Sequence, residues 1–352
     1  MDVLHALIRQ IEPLDSACMD RVQRRLDNLT KPAGSLAALE MIVKIFAGAQ
    51  RTVQLRLPLK AVVLMAADHG VAVESVSAYP QHVTEQMIYN FVGGGAGINV
   101  LARHANAELV LVDVGVAADL APELPIKHYK IRKGTCNMRY RPAMSREEAL
   151  AAIKAGIRIA DELSNKGIQV VGLGEMGIGN TTASSAITSV LLNKEPALVT
   201  GTGAGIDPNT LFHKVNVIKD AIAVNRPNAQ DPVEVLAKVG GLEIAALTGL
   251  VLACAAKRIL VVIDGFISAA AVLAAYRLAP GIQPYLIASH LSTEPGHEAI
   301  LEAIDVKPRL CLDMRLGEGT GAALGMTLID AAIKLLNEMA TFEEARVTNI
   351  ER

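Results

Sequence analysis

Glu318 stands between two glycines in Met314-Arg315-Leu316-Gly317-Glu318-Gly319-Thr320-Gly321. A short apolar run, Leu310-Cys311-Leu312, precedes it and a helical pattern follows. Glycine removes side-chain cover, so backbone and ligand can approach a carboxylate placed there. At the mouth of a strand-to-helix turn this carboxylate is a candidate general base, or alternatively a solvated turn residue. A second carboxylate, Glu175, lies in Gly172-Leu173-Gly174-Glu175-Met176-Gly177, which matches the GxGxxG pattern behind a predicted strand. A helix is expected from about Asn180-Thr181-Thr182. Backbone N–H groups of such a turn, with the helix N-terminus, can face a phosphate. Asn or Thr at that boundary can equally serve as a plain helix cap. A dinucleotide site would want an acidic residue ending the next strand, about 20 residues on. Glu195 has the spacing but precedes the apolar residues 197–199 rather than ending a strand. A mononucleotide or sugar phosphate fits the turn better.

Other segments offer polar groups at similar places. Gly201-Thr202-Gly203-Ala204-Gly205-Ile206-Asp207 precedes Pro208, a helix N1 residue by type. Lys214, about a turn or two further on, is either a point charge near a phosphate or an exposed helix lysine. Asp68-His69-Gly70 ends a predicted strand and reads as acid/base groups or as a structural Asp–His hydrogen bond. With no HxH, HExxH or dense carboxylate cluster beside it, a metal site is not expected. In the Pro80-containing loop 76–84, Thr84 has the type of an N-cap for the helix that follows. Tyr79 and Met87 there are candidates for an apolar pocket around a flat ring, or for ordinary core packing. Gly93-Gly94-Gly95-Ala96-Gly97 interrupts that helical stretch, and Ser289-His290 ends another strand ahead of a polar loop at 292–296.

The elements that must hold these groups are legible as an alternation. Strand-like runs lie at 61–66, 109–114, 168–173, 260–263, 285–288 and 310–312. Several are continuous Val/Ile/Leu runs, as strands buried on both faces require. Helical patterns at 145–166, 241–256 and 265–279 lie between them. The expected fold is α/β: a Rossmann-like, mainly parallel, doubly wound sheet of about six strands. Residues 1–50 read as helices only, and 320–340 as a helix with Leu324, Leu328, Ala331 and Leu335 on one face. These suggest a small helical lobe, 1–50 with 320–352, beside a large α/β domain, 51–319, carrying most of the site.

Composition narrows the class. The 352 residues are 51% hydrophobic and 20% charged, ample for a large core. A net charge of −2 gives no basic surface for nucleic acid or an anionic membrane, and 3% aromatics with no Trp argue against base-stacking platforms. The four cysteines at 18, 136, 254 and 311 form no CxxC pair, which suits a reduced cytoplasmic protein. The N-terminal residues lack a signal-peptide core, and the apolar stretch 244–256 is too short to span a bilayer.

The ordered set Lys31-Pro32-Ala33-Gly34-Ser35-Leu36, Ala67-Asp68-His69-Gly70-Val71, Ser77-Ala78-Tyr79-Pro80, 174–182, Asp264-Gly265-Phe266 and 315–319 resembles one family over nearly the whole chain. It is the nicotinate-nucleotide–dimethylbenzimidazole phosphoribosyltransferase family of cobalamin synthesis. Ala37 and Ser75 depart from it, standing where that family commonly has glycine. The resemblance implies transfer of the 5-phosphoribosyl group of nicotinate mononucleotide to 5,6-dimethylbenzimidazole, without cofactor or metal, by a homodimer. It implies Glu318 as general base, with Glu175 and Lys214 also in the active site. Tyr79, Met87, Met176 and Leu316 would border the benzimidazole. On this basis Gly174, Gly177, Gly179, Asn180, Thr181, Gly203 and Lys214 are expected around the phosphoribosyl group. The competing readings are a nicotinamide-dependent oxidoreductase using 172–177 and a nucleotide-binding scaffold without activity.

Overall fold

A computed structural model describes residues 2–349. Its centre is a six-stranded, all-parallel sheet in the order β3-β2-β1-β4-β5-β6. The strands are β1 (Lys60–Ala67), β2 (Ala107–Gly115), β3 (Lys127–His128), β4 (Val170–Met176), β5 (Leu260–Ile263) and β6 (Leu286–Ala288). Every residue of β1 is buried, as a central strand covered on both faces demands. The chain works outward from β1 to β2 and β3, then returns to β4 on the other side. The strand order therefore reverses between β1 and β4, and the crevice outside their carboxyl ends is where open α/β sheets bind ligands. Asp68, Glu175, Asp264 and Ser289 stand at or just beyond the ends of β1, β4, β5 and β6.

The doubly wound sheet agrees with the sequence reading, with one strand misplaced. Residues 310–312 make only a single parallel bridge, Leu310 to His290. Beyond Leu310 the run is exposed, Leu312 to 49%, so it lies outside the sheet edge and has no further ladder to join. The sixth strand is β3 at the opposite edge, two exposed polar residues with no apolar signature.

Helices cover both faces. Leu242–Ala256 is buried almost throughout and crosses Arg146–Asn165 at very short range. A Cβ at Gly156 would sit 1.8 Å from the Ala246 carbonyl oxygen, so the crossing depends on glycine. Ser16–Asn28 and Ala38–Gln50 pack on each other, and Ala38–Gln50 packs against Thr320–Glu338. Leu29 forms an antiparallel bridge with Thr341, joining the two ends of the chain. Thr320–Glu338 also packs on β4 and β5. Its deeply buried residues are Ala322, Ala323, Met326, Ile329, Ala332, Ile333 and Leu336. Leu324, Leu328, Ala331 and Leu335 occupy its half-buried flank instead, because a helix pressed on two sides has no single apolar stripe. Among the described residues no helix is long and apolar enough to cross a membrane.

Two non-glycine residues keep left-handed backbone where the resembled family commonly has glycine. Ser75 has φ 56° and Ala37 has φ 42°. The turns are thus retained without the residue that adopts them freely, at a cost on the order of 1 kcal/mol each.

The start of Thr320–Glu338 is fixed by a residue from another strand. The buried Asp264 carboxylate accepts the N–H of Gly319 at 3.1 Å through Oδ2 and that of Ala322 at 3.0 Å through Oδ1. It acts as an N-cap supplied in trans, satisfying donors that a helix start leaves open. Burial pushes Asp264 up to about 7, and these backbone donors pull the other way. Asp264→Ala should lower unfolding free energy by roughly 1–3 kcal/mol, read from urea denaturation midpoints. A midpoint equal to that of the parent chain would remove Asp264 from this structural role.

Candidate active site

A cavity of about 420 Å³ opens at the β1/β4 crevice. One wall is apolar, built from Tyr79, Val83 and Met87 of the loop and helix after β1, with Met176 and Leu316. A second wall is the turn Gly177 to Thr181, with Gly203 opposite. A third, beyond β5 and β6, carries Phe266, His290, Ser292, Glu294 and Arg315. Glu175 and Glu318 lie where these walls meet. All the site residues expected from the sequence line this cavity except Gly174 and Lys214.

Gly174 is inside β4, and a Cβ there would stand 2.6 Å from the Glu318 carbonyl oxygen. Gly172 is likewise in the strand, where a Cβ would press on Met326 and Ala322. The GxGxxG match therefore has two causes. Its first two glycines admit the helix and turn that pack on β4. Gly177 and Gly179, with φ 95° at Gly179, form a turn that lines the cavity. Asn180–Leu192 starts there with no side-chain cap, and the N–H groups of Gly179 and Thr181 have no acceptor among the described residues. Such a helix start attracts an anion.

Lys214 is buried behind Thr181. Its Nζ donates to Thr181 Oγ1 at 2.8 Å and contacts the Gly201 carbonyl oxygen at 3.4 Å, tying the two glycine turns together. Burial lowers its pKa to about 8, partly offset by the Glu294 carboxylate. Glu294 in turn accepts the Gly203 N–H at 2.8 Å. Asp207 caps Pro208–Asn225, so Pro208 occupies N1 as expected.

Glu318 has φ 63°, between Gly317 at 85° and Gly319 at 88°. Three successive left-handed residues make a tight turn, and glycine is needed on both sides for packing as well as for φ. A Cβ on Gly317 would lie 2.5 Å from Glu175 Oε1, and one on Gly319 2.7 Å from Val62 Cγ1. The glycines thus admit protein neighbours, and Gly317 and Glu318 line the cavity. Its Oε2 is buried with no hydrogen-bond partner among the described residues. Burial raises the Glu318 pKa, and the Ile98 N–H opposes that rise.

Glu175 holds this turn from below. Its carboxylate accepts from the Asn180 side-chain amide, and that amide and the Glu318 backbone pull its pKa down. Burial, reinforced by the charges of Asp264 and Glu243, pushes Glu175 up to about 8.

Two expectations about neighbouring loops need correction. Asp68 and His69 do not pair with each other. Asp68 Oδ2 accepts the Ala117 N–H at 2.7 Å, while His69 Nε2 meets Glu243 Oε1 at 2.6 Å. Thr84 is not the N-cap of Val83–Gly93, where His82 stands. Its buried hydroxyl accepts the Ile178 N–H at 3.1 Å and pins the cavity-lining turn. The sequence reading gives His290, Ser292, Glu294 and Arg315 no role. Their one signal is position, each lying just past β6 or beside Glu318. Burial lowers the His290 pKa, and its Nδ1 lies 3.0 Å from the Ser289 hydroxyl. Arg315 donates to the Gly203 carbonyl oxygen at 3.3 Å. Among the described residues no group of three or more His, Cys, Asp or Glu side chains could hold a metal ion.

Comparison with known proteins gives this cavity a context. A family model described as "Phosphoribosyltransferase" matches residues 11–347. The nicotinate-nucleotide–dimethylbenzimidazole phosphoribosyltransferase of Desulforudis audaxviator (strain MP104C) is 53% identical, covering 99% of both chains. The protein of the same name from Geobacter sp. (strain M21) is 51% identical over 99% of this chain and 100% of its own. The crystal structure of such an enzyme from Thermus thermophilus superposes with a TM-score of 0.89 at 43% identity, covering 96% of this chain and 100% of its own. The chain is a phosphoribosyltransferase enzyme, and it belongs to the nicotinate-nucleotide–dimethylbenzimidazole phosphoribosyltransferase family.

Proposed function

We propose that this enzyme moves the 5-phosphoribosyl group of nicotinate mononucleotide to 5,6-dimethylbenzimidazole, giving α-ribazole 5′-phosphate and nicotinate. The observation that carries the reading is the buried Oε2 of Glu318, without a hydrogen-bond partner among the described residues and set between an apolar wall and a turn with open N–H groups. A neutral benzimidazole offers one lone pair and one N–H. The lone pair attacks ribose C1′ as the bond from C1′ to the pyridinium nitrogen breaks and that electron pair returns to the nicotinate ring. Positive charge develops on the benzimidazole, and Glu318 takes its N–H proton. Departure from the β face with attack from the other gives the α product in one inverting displacement.

The remaining groups position the reactants. Tyr79, Met87, Met176 and Leu316 hold the flat ring. The N–H groups of Gly179 and Thr181 receive the 5′-phosphate, with Lys214 behind them. Glu175 has two roles in this reading: it fixes the Glu318 turn, and it faces the cationic side of the ribose. Near neutral pH its raised pKa leaves it largely protonated in the empty site, and a cation placed beside it favours the carboxylate. The homodimer implied by the family resemblance belongs to the same reading; Tyr79 and Leu316 are exposed at the cavity mouth, where a second subunit could cover them.

The reaction is tested by incubating the protein with nicotinate mononucleotide and a panel of benzimidazoles, purines and phenols. Nicotinate and an α-ribotide should be found by mass. No α-ribotide from any base overturns the assignment. Glu318→Gln should still bind the benzimidazole while turnover falls roughly a hundredfold; near-normal turnover at neutral pH would take the base role away from Glu318. Lys214 supplies a pH signature. It is charged below about 8 and neutral above. Donor kcat/KM should therefore fall as pH rises through about 8, reporting the free enzyme. Lys214→Met should lose that limb, which separates it from Glu175, a group titrating in the same range. A limb unchanged in the variant would exclude Lys214 as its origin.

A further inference from the structure

The His69–Glu243 pair lies outside the cavity and takes no part in the steps above. Both side chains are about fully buried, at 1% and 0% exposure. Glu243 is the only carboxylate in Leu242–Ala256, a helix otherwise made of Leu, Ile, Ala, Thr, Gly, Val and Cys. A buried ion pair is weak evidence for stability, since apolar side chains of similar volume commonly do as well. Its position suggests another task. The His69 ring is the floor of the cavity-lining turn. A Cβ on Gly177 would lie 3.3 Å from its Nε2 and Cδ2, and one on Gly179 3.4 Å from its Cβ. A Cβ on Gly241, beside Glu243, would lie 2.4 Å from its Cε1. The imidazole is thus flanked by two glycines, Gly177 in the turn and Gly241 at the start of the buried helix, and Gly179 lies against the His69 Cβ. The 2.6 Å contact to Glu243 fixes its rotation, because two lone pairs cannot face each other at that distance and a proton must lie between.

We propose that His69, oriented by Glu243, is a positioning residue for the donor's 5′-phosphate. The ring sets the height and tilt of the Gly177–Gly179 backbone, and so the direction of the open N–H groups of Gly179 and Thr181. Thr84 holds the same turn from the side through the Ile178 N–H. Asn180 and Thr181 are tied to Glu175 and Lys214 further along, so removing the floor lets the Gly177–Gly179 end of the turn sink. The inference rests on the reading of this turn as the phosphate site.

The test compares nicotinate mononucleotide with its unphosphorylated riboside in the parent enzyme, Glu243→Gln and His69→Asn. In both variants the KM for the mononucleotide should rise about tenfold or more, while kcat and the KM for the base stay within about twofold. kcat/KM for the riboside should be unchanged, so the preference for the phosphorylated donor falls by the same factor. His69→Gln, whose longer amide can still reach Glu243, should recover part of the loss. An unaltered donor preference in the folded variants overturns the proposal, as does an equal loss with both donors, which marks a purely structural role. Should His69→Asn fail to fold, the near-isosteric Glu243→Gln carries the same comparison. A parent enzyme that shows no preference for the phosphorylated donor overturns the phosphate-site reading itself, a result distinct from the other two.

Discussion

The site depends on one backbone turn being held in a conformation it would not keep alone. Gly317, Glu318 and Gly319 are all left-handed, and the middle one carries a side chain. Two buried carboxylates hold them. Glu175, from the end of β4, packs against the turn, its Oε1 2.5 Å from where a Cβ on Gly317 would lie. Asp264, from the end of β5, accepts the N–H groups of Gly319 and Ala322. Because β4 and β5 are adjacent parallel strands, their ends are fixed relative to each other by the ladder between them. The sheet therefore sets the position of Glu318 through one hydrogen-bonded and one packed carboxylate rather than through the flexible length of a loop. Oε2 of Glu318 has no hydrogen-bond partner among the described residues, and in the proposed reaction the carboxylate meets the acceptor base.

The same arrangement explains the electrostatics. Asp68, Glu175, Asp264 and Glu318 crowd one end of the sheet, and burial raises the pKa of each. Lys214 is pushed the other way by the same cause. An empty site of this kind carries less charge than its residue types suggest. A substrate with a cationic ring and an anionic phosphate would draw both kinds of group toward their charged forms. The site would then gain much of its polarity on binding, in a region where water does not screen it.

What the sequence reveals follows the physics of each element. β1, β2, β5 and β6 are visible in it because burial on both faces requires unbroken apolar runs. β3 is invisible because two exposed edge residues need no such pattern. The run at 310–312 misleads for the converse reason: a short apolar segment can bridge an edge and then leave it. Glu318 and its glycines are legible by spacing. The glycines of 172–177 are legible too but only partly assignable, since a glycine that admits a helix and one that admits a phosphate look alike in a string of letters. The true partner of His69 is hidden because Glu243 is 174 positions away and no local pattern links them. Arg315 and Glu294 escape notice because a charged residue in a loop is ordinary until the opposite wall is known.

Ala37 and Ser75 show how the scaffold offsets local preference. Both take positive φ without being glycine. Ser75 closes the short turn Gly70–Glu74, and the next residues lead into the loop that carries Tyr79 over the cavity. Around it, Glu74 accepts hydrogen bonds from Asn137 and Arg139, both at 2.6 Å, and Arg139 reaches on to Asp220 of Pro208–Asn225. Local strain of order 1 kcal/mol is comparable with what a partly exposed network of this kind contributes, so the two can offset each other. The helix bearing Lys214 and the loop bearing Tyr79 are thus braced against each other on the side away from Glu318. The apolar wall and the anion-facing turns keep their spacing even though the residue at the bend is not the one its backbone prefers.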